Sequence, residues 1–277
     1  MCDVCVMAAV KSKLQANNLS FSGAGNIPKS EILAASLLSA PICTLAQDIS
    51  FSSIVDLTHT LTPDFPTFYG DPAFTETDDF TFARDNMNGK TVSYYEHVGT
   101  HFDAPLHFSP NGQSIDELPL DKLVCPLAVI DVRVQAEHDP DYRILPEDIL
   151  RYEKMHGLIP ERACVSALSG WSRYVYTERF RGEDSYGVHH FPGFHESTAR
   201  FLISERQVYG IGIDTMSLDY GPTKDFSIHR TWLGSGRYGI ESLTNLEHVP
   251  PAGATLIGGA PKFQGGTGGP GRVIAVY

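Results

Sequence analysis

The stretch Glu96-His97-Val98-Gly99-Thr100-His101-Phe102-Asp103-Ala104-Pro105-Leu106-His107-Phe108 holds three histidines and one aspartate within the eleven positions from His97 to His107. A core histidine satisfied by a backbone carbonyl is common as a single residue, but four ligand-type side chains at this density point to a cluster with a task. Neutral imidazole and carboxylate are the donors that a divalent ion of the zinc or manganese kind takes, and three protein ligands with an open position make a catalytic site. His97 and His101 are four apart, yet the segment does not read as a helix. Gly99 allows a turn after a strand that ends at His97, and the turn lets His97, His101 and Asp103 converge.

Outward from this stretch the chain reads as a strand-rich α/β body. Short Val/Ile-rich runs recur at Ser53 to Leu57, Thr91 to Glu96, Leu127 to Val132, Cys164 to Leu168, Val208 to Ile213, Thr255 to Ile257 and Val273 to Val276. Helical signals are fewer. Pro146 stands at a first-turn position with Glu147 and Asp148 behind it, and Glu196 to Ile203 carries an apolar face at Ala199, Phe201 and Leu202. With 25 glycines, 18 prolines and 42% hydrophobic residues in 277, the composition fits a full core and many tight turns. No repeat or composition break follows residue 50, so residues 51–277 are expected to form one catalytic domain behind an N-terminal extension, 1–50.

Charge and cysteine content narrow the function. A net charge of -12 without a basic run repels phosphate backbones and anionic lipid, which argues against nucleic acid as a partner. Five cysteines, Cys2, Cys5, Cys43, Cys125 and Cys164, are an odd and scattered set, so a reducing compartment is the simpler reading and a cytoplasmic location is favoured. Cys2 and Cys5 form a C-x-x-C pair with no second pair to complete a zinc site, and read as inert. No apolar stretch reaches the roughly twenty residues that cross a bilayer, so a membrane-spanning protein is not expected. The segment 31–46 has an apolar stretch followed by Thr44-Leu45-Ala46, and two readings stay open: an export signal, or a short surface helix capped by Ser30.

The string H-x-G-T-H-x-D-x-P-x-H resembles, position for position, the metal-binding motif of the cyclase family, which includes bacterial kynurenine formamidase and isatin hydrolase. The resemblance runs from about Ile54 to Tyr277. Ser169-Gly170-Trp171 looks like the family's TGW segment, and Gly212-Ile213-Asp214-Thr215-Met216-Ser217-Leu218-Asp219 like its GIDTxSxD strand. What the resemblance implies is specific. The fold would be the swivelling β/β/α fold, a mixed sheet with flanking helices. His97, His101 and Asp103 would bind metal, Asp103 as a bridge, and His229 and Glu241, unremarkable by themselves, would complete a two-metal site for Zn2+ or Mn2+. Some relatives carry Gln at the position of Glu241, and the Glu here adds the charge that favours two ions.

His107 would be the proton shuttle, beside a metal that lowers the pKa of bound water from about 15.7 to about 7 and so supplies hydroxide to attack a carbonyl. Asp214, Ser217 and Asp219 would orient ligands from behind or hold the following loop. The substrate would be a small amide or lactam, such as an arylformamide or an isatin-like ring. Two alternatives stand beside it: a lactone hydrolase or cyclising enzyme of the same family, and a metal- or small-molecule-binding protein without turnover. A binding protein has no use for a free imidazole at His107. The segment Pro66-Thr67-Phe68-Tyr69-Gly70-Asp71-Pro72 departs from the family's P-x-W-P-G-D-P at Phe68, an aromatic that would wall the substrate pocket. Relatives set an aromatic from the segment resembling Phe65 to Tyr69 against a neighbouring subunit's pocket, which implies a homodimer or homotetramer. The tail Gly265-Gly266-Thr267-Gly268-Gly269-Pro270-Gly271 lacks the G-K-[ST] ending of a phosphate loop and reads as a flexible turn whose backbone approaches the pocket.

Overall fold

A computed structural model describes residues 50–277. The segment 31–46, the Cys2/Cys5 pair and Ser30 lie outside the described residues. None of the described helices is long and apolar enough to cross a membrane.

The body is a nine-stranded mixed sheet. In chain order its strands are β1 (Ile54–Asp56), β4 (His101–Asp103), β5 (Val124–Asp131), β7 (Cys164–Leu168), β9 (Gly210–Ile213), β10 (Tyr238–Glu241), β11 (Ala254–Gly259), β12 (Gly268–Pro270) and β13 (Arg272–Val276). They lie side by side as β1-β13-β11-β5-β7-β9-β10-β4-β12. The four strands β5, β7, β9 and β10 run parallel, and β7, β9 and β10 are buried along their whole length. Continuous Val/Ile/Ala/Gly runs suit strands covered on both faces. The outer pairings are antiparallel.

Two small pairs complete the β-structure: an exposed hairpin of β2 (Phe74–Phe80) with β3 (Gly89–Tyr94), and β6 (Arg143–Ile144) with β8 (Gly193–Phe194). The helices that matter are α1 (Pro146–His156), α2 (Glu196–Phe201) and α3 (Ser227–Leu233). Pro146 opens α1, as its fixed φ and missing N–H favour, and the Asp148 carboxylate accepts the Leu145 N–H at 2.8 Å. Ala199 and Leu202 of the α2 region are buried, in one cluster with Ile130, Val165 and Ile211 from the sheet.

The expected mixed sheet with flanking helices is therefore present. Two local expectations change. The run Thr91 to Glu96 is a strand only as far as Tyr94, where it belongs to the exposed hairpin, and residues 96–100 form bends. The glycine-rich tail is not a free turn: Gly268–Pro270 is the edge strand β12, hydrogen-bonded to β4.

Candidate metal centre

Period-two alternation along β4 sends His101 and Asp103 to one face and Phe102 to the other, into the core. The sheet register then places Glu241 of β10 directly opposite His101. Asp103 stands between Gly239 on one side and Gly268 on the other. A Cβ at Gly239 would lie 3.4 Å from Asp103 Oδ2 and 2.6 Å from Leu218 Cδ1, so the glycine keeps the space that the carboxylate occupies. His97 arrives from the bend, where Gly99 has φ +66°, a conformation that costs a residue with a side chain. His229 arrives from the first turn of α3. The Asp219 carboxylate accepts the backbone N–H of Ile228 (2.9 Å) and of His229 (3.1 Å), tying that turn to the loop that follows β9.

The five residues meet around two carboxylates. His97 Nδ1 is 2.7 Å from Asp103 Oδ1, and His101 Nε2 is 3.4 Å from the same oxygen and 3.2 Å from Glu241 Oε2. His229 Nε2 is 3.6 Å from Asp103 Oδ2 and 3.1 Å from Glu241 Oε1. The two oxygens of Asp103 thus face different histidines. Each histidine also has a partner on its outer side. The Gly99 carbonyl holds His101 Nδ1 (2.9 Å), Asp219 Oδ2 holds His229 Nδ1 (2.6 Å) and the Thr267 hydroxyl holds His97 Nε2 (2.9 Å). Histidines that bind metal almost always engage their second nitrogen in this way, which fixes ring and tautomer.

Two buried atoms of the centre, His101 Nε2 and Asp103 Oδ2, have no hydrogen-bond partner among the described residues. The contacts of His101 Nε2 with the carboxylates are close in distance but lack hydrogen-bond geometry. An unsatisfied buried polar group costs about 1–3 kcal/mol, and more when charged. Converging donors that leave such atoms open, two anionic carboxylates among them, fit a divalent cation. The electrostatics of the cluster agree. Burial disfavours charge on His101 and His229, but the carboxylates of Asp103, Glu241 and, for His229, Asp219 close against the rings outweigh it and raise both to about 10. Asp103 is held well below the usual carboxylate range by His101 and His97 despite its burial. Positive charge is what this centre is shaped to hold.

His107 takes a different position. Its ring stacks on His97, with centroids 3.8 Å apart and planes 23° apart, and touches Phe108 edge-on. Its donor atoms come close enough to those of His97 and Asp103 for the three to share an ion. Burial lowers its pKa to about 4, with the neighbouring His97 and His229 adding to the fall, so the ring is neutral at neutral pH.

The cluster forms one end of a cavity of about 440 Å³, the size that small-molecule sites have. Phe65, Phe68, Tyr95, Phe108, Met216 and Phe226 give it an aromatic and apolar wall. Phe68 packs edge-on against His189 (4.6 Å) and tilted against Phe226 (5.9 Å), which pins the Phe65-to-Pro72 segment over this chain's own cavity. Ser217 also lines the cavity, buried and with its Oγ without a partner among the described residues. The carboxylate of Asp214 accepts from Ser169 N, Ser169 Oγ and Trp171 N and so holds the Ser169–Trp171 turn that follows β7, rather than a ligand histidine or the loop after its own strand. Two participants were not singled out in the sequence, Glu96 and Thr267, which meet behind His97. The signals available for them were weak: an acid directly before a ligand histidine, and a hydroxyl set among glycines.

Fold and cluster together define a protein with a cation-suited centre at the edge of a mixed sheet, opening on an aromatic cavity. The chain belongs to the cyclase family, whose model, described as putative cyclase, matches residues 55–220. It is similar to the isatin hydrolase of Roseibium aggregatum, with 31% identity over 190 residues that make up 65% of this chain and 72% of the relative. It is also similar to the kynurenine formamidase of Salinibacter ruber, with 30% identity over 226 residues, 80% of this chain and 96% of the relative. Among solved structures, isatin hydrolase A from Labrenzia aggregata bound to benzyl benzoate matches with a TM-score of 0.74 at 32% identity, over 90% of this chain and 99% of that one.

Proposed function

We propose that the chain is a metal-dependent hydrolase that opens the C–N bond of a small aromatic amide or lactam. The observation that carries this reading is the common orientation of His97, His101 and His229: each is held from behind, and each turns its other nitrogen toward Asp103 or Glu241 at the mouth of an aromatic cavity. His97, His101, Asp103, His229 and Glu241 would hold one or two divalent ions. A zinc or manganese ion held there would act as a Lewis acid, making water acidic and polarising a carbonyl. The names of the relatives, an isatin hydrolase and a kynurenine formamidase, support an amide or lactam attached to an aromatic ring.

The rest of the reaction falls to the chain's own side chains. The aromatic wall binds the planar part of the substrate and excludes water from its faces, leaving the carbonyl at the polar end. Hydrolysis adds water oxygen to the carbonyl carbon and breaks the C–N bond. The departing nitrogen must then gain a proton. His107 is neutral, lines the cavity and stacks on His97, so it is placed to take a proton from the attacking water and return it to that nitrogen.

Chelation tests the reading directly. Hydrolysis of N-formylkynurenine or isatin by purified protein is expected to disappear after exhaustive treatment with a chelator and to return with added Zn(II) or Mn(II). Full activity in protein shown metal-free by elemental analysis would exclude it.

The cavity wall yields a second expectation. Phe68→Ala removes an aromatic face that substrate and transition state meet equally, so it should raise KM about tenfold with kcat nearly unchanged. Steady-state kinetics with the same substrates check this, and a fall in kcat at constant KM would move Phe68 out of the binding wall. Assembly as a homodimer or homotetramer is part of the same proposal, and light scattering at micromolar concentration reads it.

A further inference from the structure

Thr267 and Glu96 are 171 positions apart and meet behind His97. The Glu96 carboxylate accepts the Thr267 backbone N–H at 3.2 Å and the Thr267 hydroxyl proton. A carboxylate can only accept, and a threonine hydroxyl has one proton to give. With that proton directed to Glu96, the Thr267 oxygen is left to accept, and the group facing it at 2.9 Å is His97 Nε2. Nε2 is therefore the nitrogen that donates to Thr267, which leaves Nδ1, 2.7 Å from Asp103 Oδ1, as the nitrogen turned into the cluster.

The same contacts account for two of the glycines, Gly266 and Gly268, which no phosphate loop explains. A Cβ at Gly268 would lie 2.4 Å from the Phe102 carbonyl oxygen and 2.7 Å from His97 Cε1, and one at Gly266 would lie 2.8 Å from Glu96 Oε1. Backbone must pass where a side chain has no room, because the ring of His97 and the carboxylate of Glu96 rest on it. The clamp is fixed from outside as well. Gly268 pairs with Asp103 across β12 and β4, the Thr267 carbonyl accepts from Ala104 N (2.9 Å), and the Gly266 carbonyl accepts from Ile115 N (2.9 Å).

We propose that Glu96 and Thr267 are positioning residues: a carboxylate–hydroxyl relay, carried on a glycine strand, that sets the tautomer and orientation of His97 so that Nδ1 is its metal-binding atom. This rests on the reading of the cluster as a metal centre and adds to it which nitrogen binds and what enforces the choice. Thr267→Val keeps the shape and removes the hydroxyl, Thr267→Ser keeps the hydroxyl, and Glu96→Gln allows the amide to donate, which turns the Thr267 hydroxyl toward His97 and favours the opposite tautomer.

The experiment is a zinc titration of metal-free protein against a competing chelator, with thermal melts as a folding control. It is paired with nitrogen-15 spectra of histidine-labelled, zinc-loaded protein. Wild type and Thr267→Ser are expected to show a protected ring N–H at His97 Nε2 and matching affinities. Thr267→Val and Glu96→Gln are expected to lose about 10–100-fold in affinity for one ion, as removal of such outer partners does, with that N–H signal lost or shifted. If Thr267→Val does not fold, Glu96→Gln against Thr267→Ser decides the matter alone. Unchanged zinc affinity and an unchanged His97 signal in Glu96→Gln would overturn the relay while leaving the metal centre intact. Failure of wild type to bind zinc or manganese would overturn both.

Discussion

Asp103→Ala is expected to lose bound metal and hydrolysis together, whereas His107→Ala keeps the metal and loses about 10²–10⁴ in kcat, the range of a removed general acid–base group. The difference follows from position. Asp103 is fully buried and touches three imidazoles through its two oxygens, so removing it leaves His97, His101 and His229 crowded without the charge that balances a cation. His101→Ala should behave like Asp103→Ala, since His101 Nε2 is the unpaired donor between both carboxylates. His107 is half-buried and stacked rather than hydrogen-bonded, and it borders the cavity where a leaving nitrogen would sit. Metal content by elemental analysis beside single-turnover rates separates the two behaviours. Release of metal by His107→Ala would make it a ligand, a role its nearness to His97 and Asp103 permits, and would remove it as the shuttle.

The parts of this molecule that were legible in the sequence are those that depend on neighbours along the chain. The runs at Leu127, Cys164, Val208, Thr255 and Val273 read as strands because they are apolar and β-branched, and they are the centre and one flank of the sheet. The strands that build the site were not legible. His101–Asp103, Tyr238–Glu241 and Gly268–Pro270 are three or four residues long, two of them contain glycine, and each is a strand because of the strand beside it. Tertiary pairing overrides weak local propensity.

The site divides in the same way. His97, His101, Asp103 and His107 stand out by density, but nothing local marks Glu241, which becomes a partner of His101 only through the register of β10 on β4. His229 needed the resemblance to a family for the same reason. Its partner Asp219 was visible only as one of three polar residues at the end of a strand, and the contacts separate their roles: Asp219 holds His229, Asp214 holds the Ser169–Trp171 turn, and Ser217 faces the cavity, its hydroxyl without a partner among the described residues.

Glu241→Gln is expected to change the metal stoichiometry from two to one. Asp103 directs Oδ1 to His97 and His101 and Oδ2 to His229, the arrangement of a carboxylate that serves two positions. Glu241 likewise directs Oε2 to His101 and Oε1 to His229, while Oε1 also accepts the Leu218 N–H at 2.8 Å, so the carboxylate is fixed and spans both sides. Two dications held close together repel strongly where water is scarce, and their joint retention depends on the anionic charge between them. With Asp103 and Glu241 there are two such charges; with a glutamine at 241 there is one, in the same shape. An ion held by His97, His101 and Asp103 would keep those three ligands in the variant, whereas an ion held by His229 would lose the charge of the Glu241 carboxylate and keep Asp103 Oδ2. Titration of metal-free protein with zinc should therefore saturate near two for the native chain and near one for Glu241→Gln, with the retained ion held within about tenfold of its native affinity. Saturation at one in the native chain would remove the second ion and leave Glu241 as a ligand or hydrogen-bond acceptor of a single-metal centre.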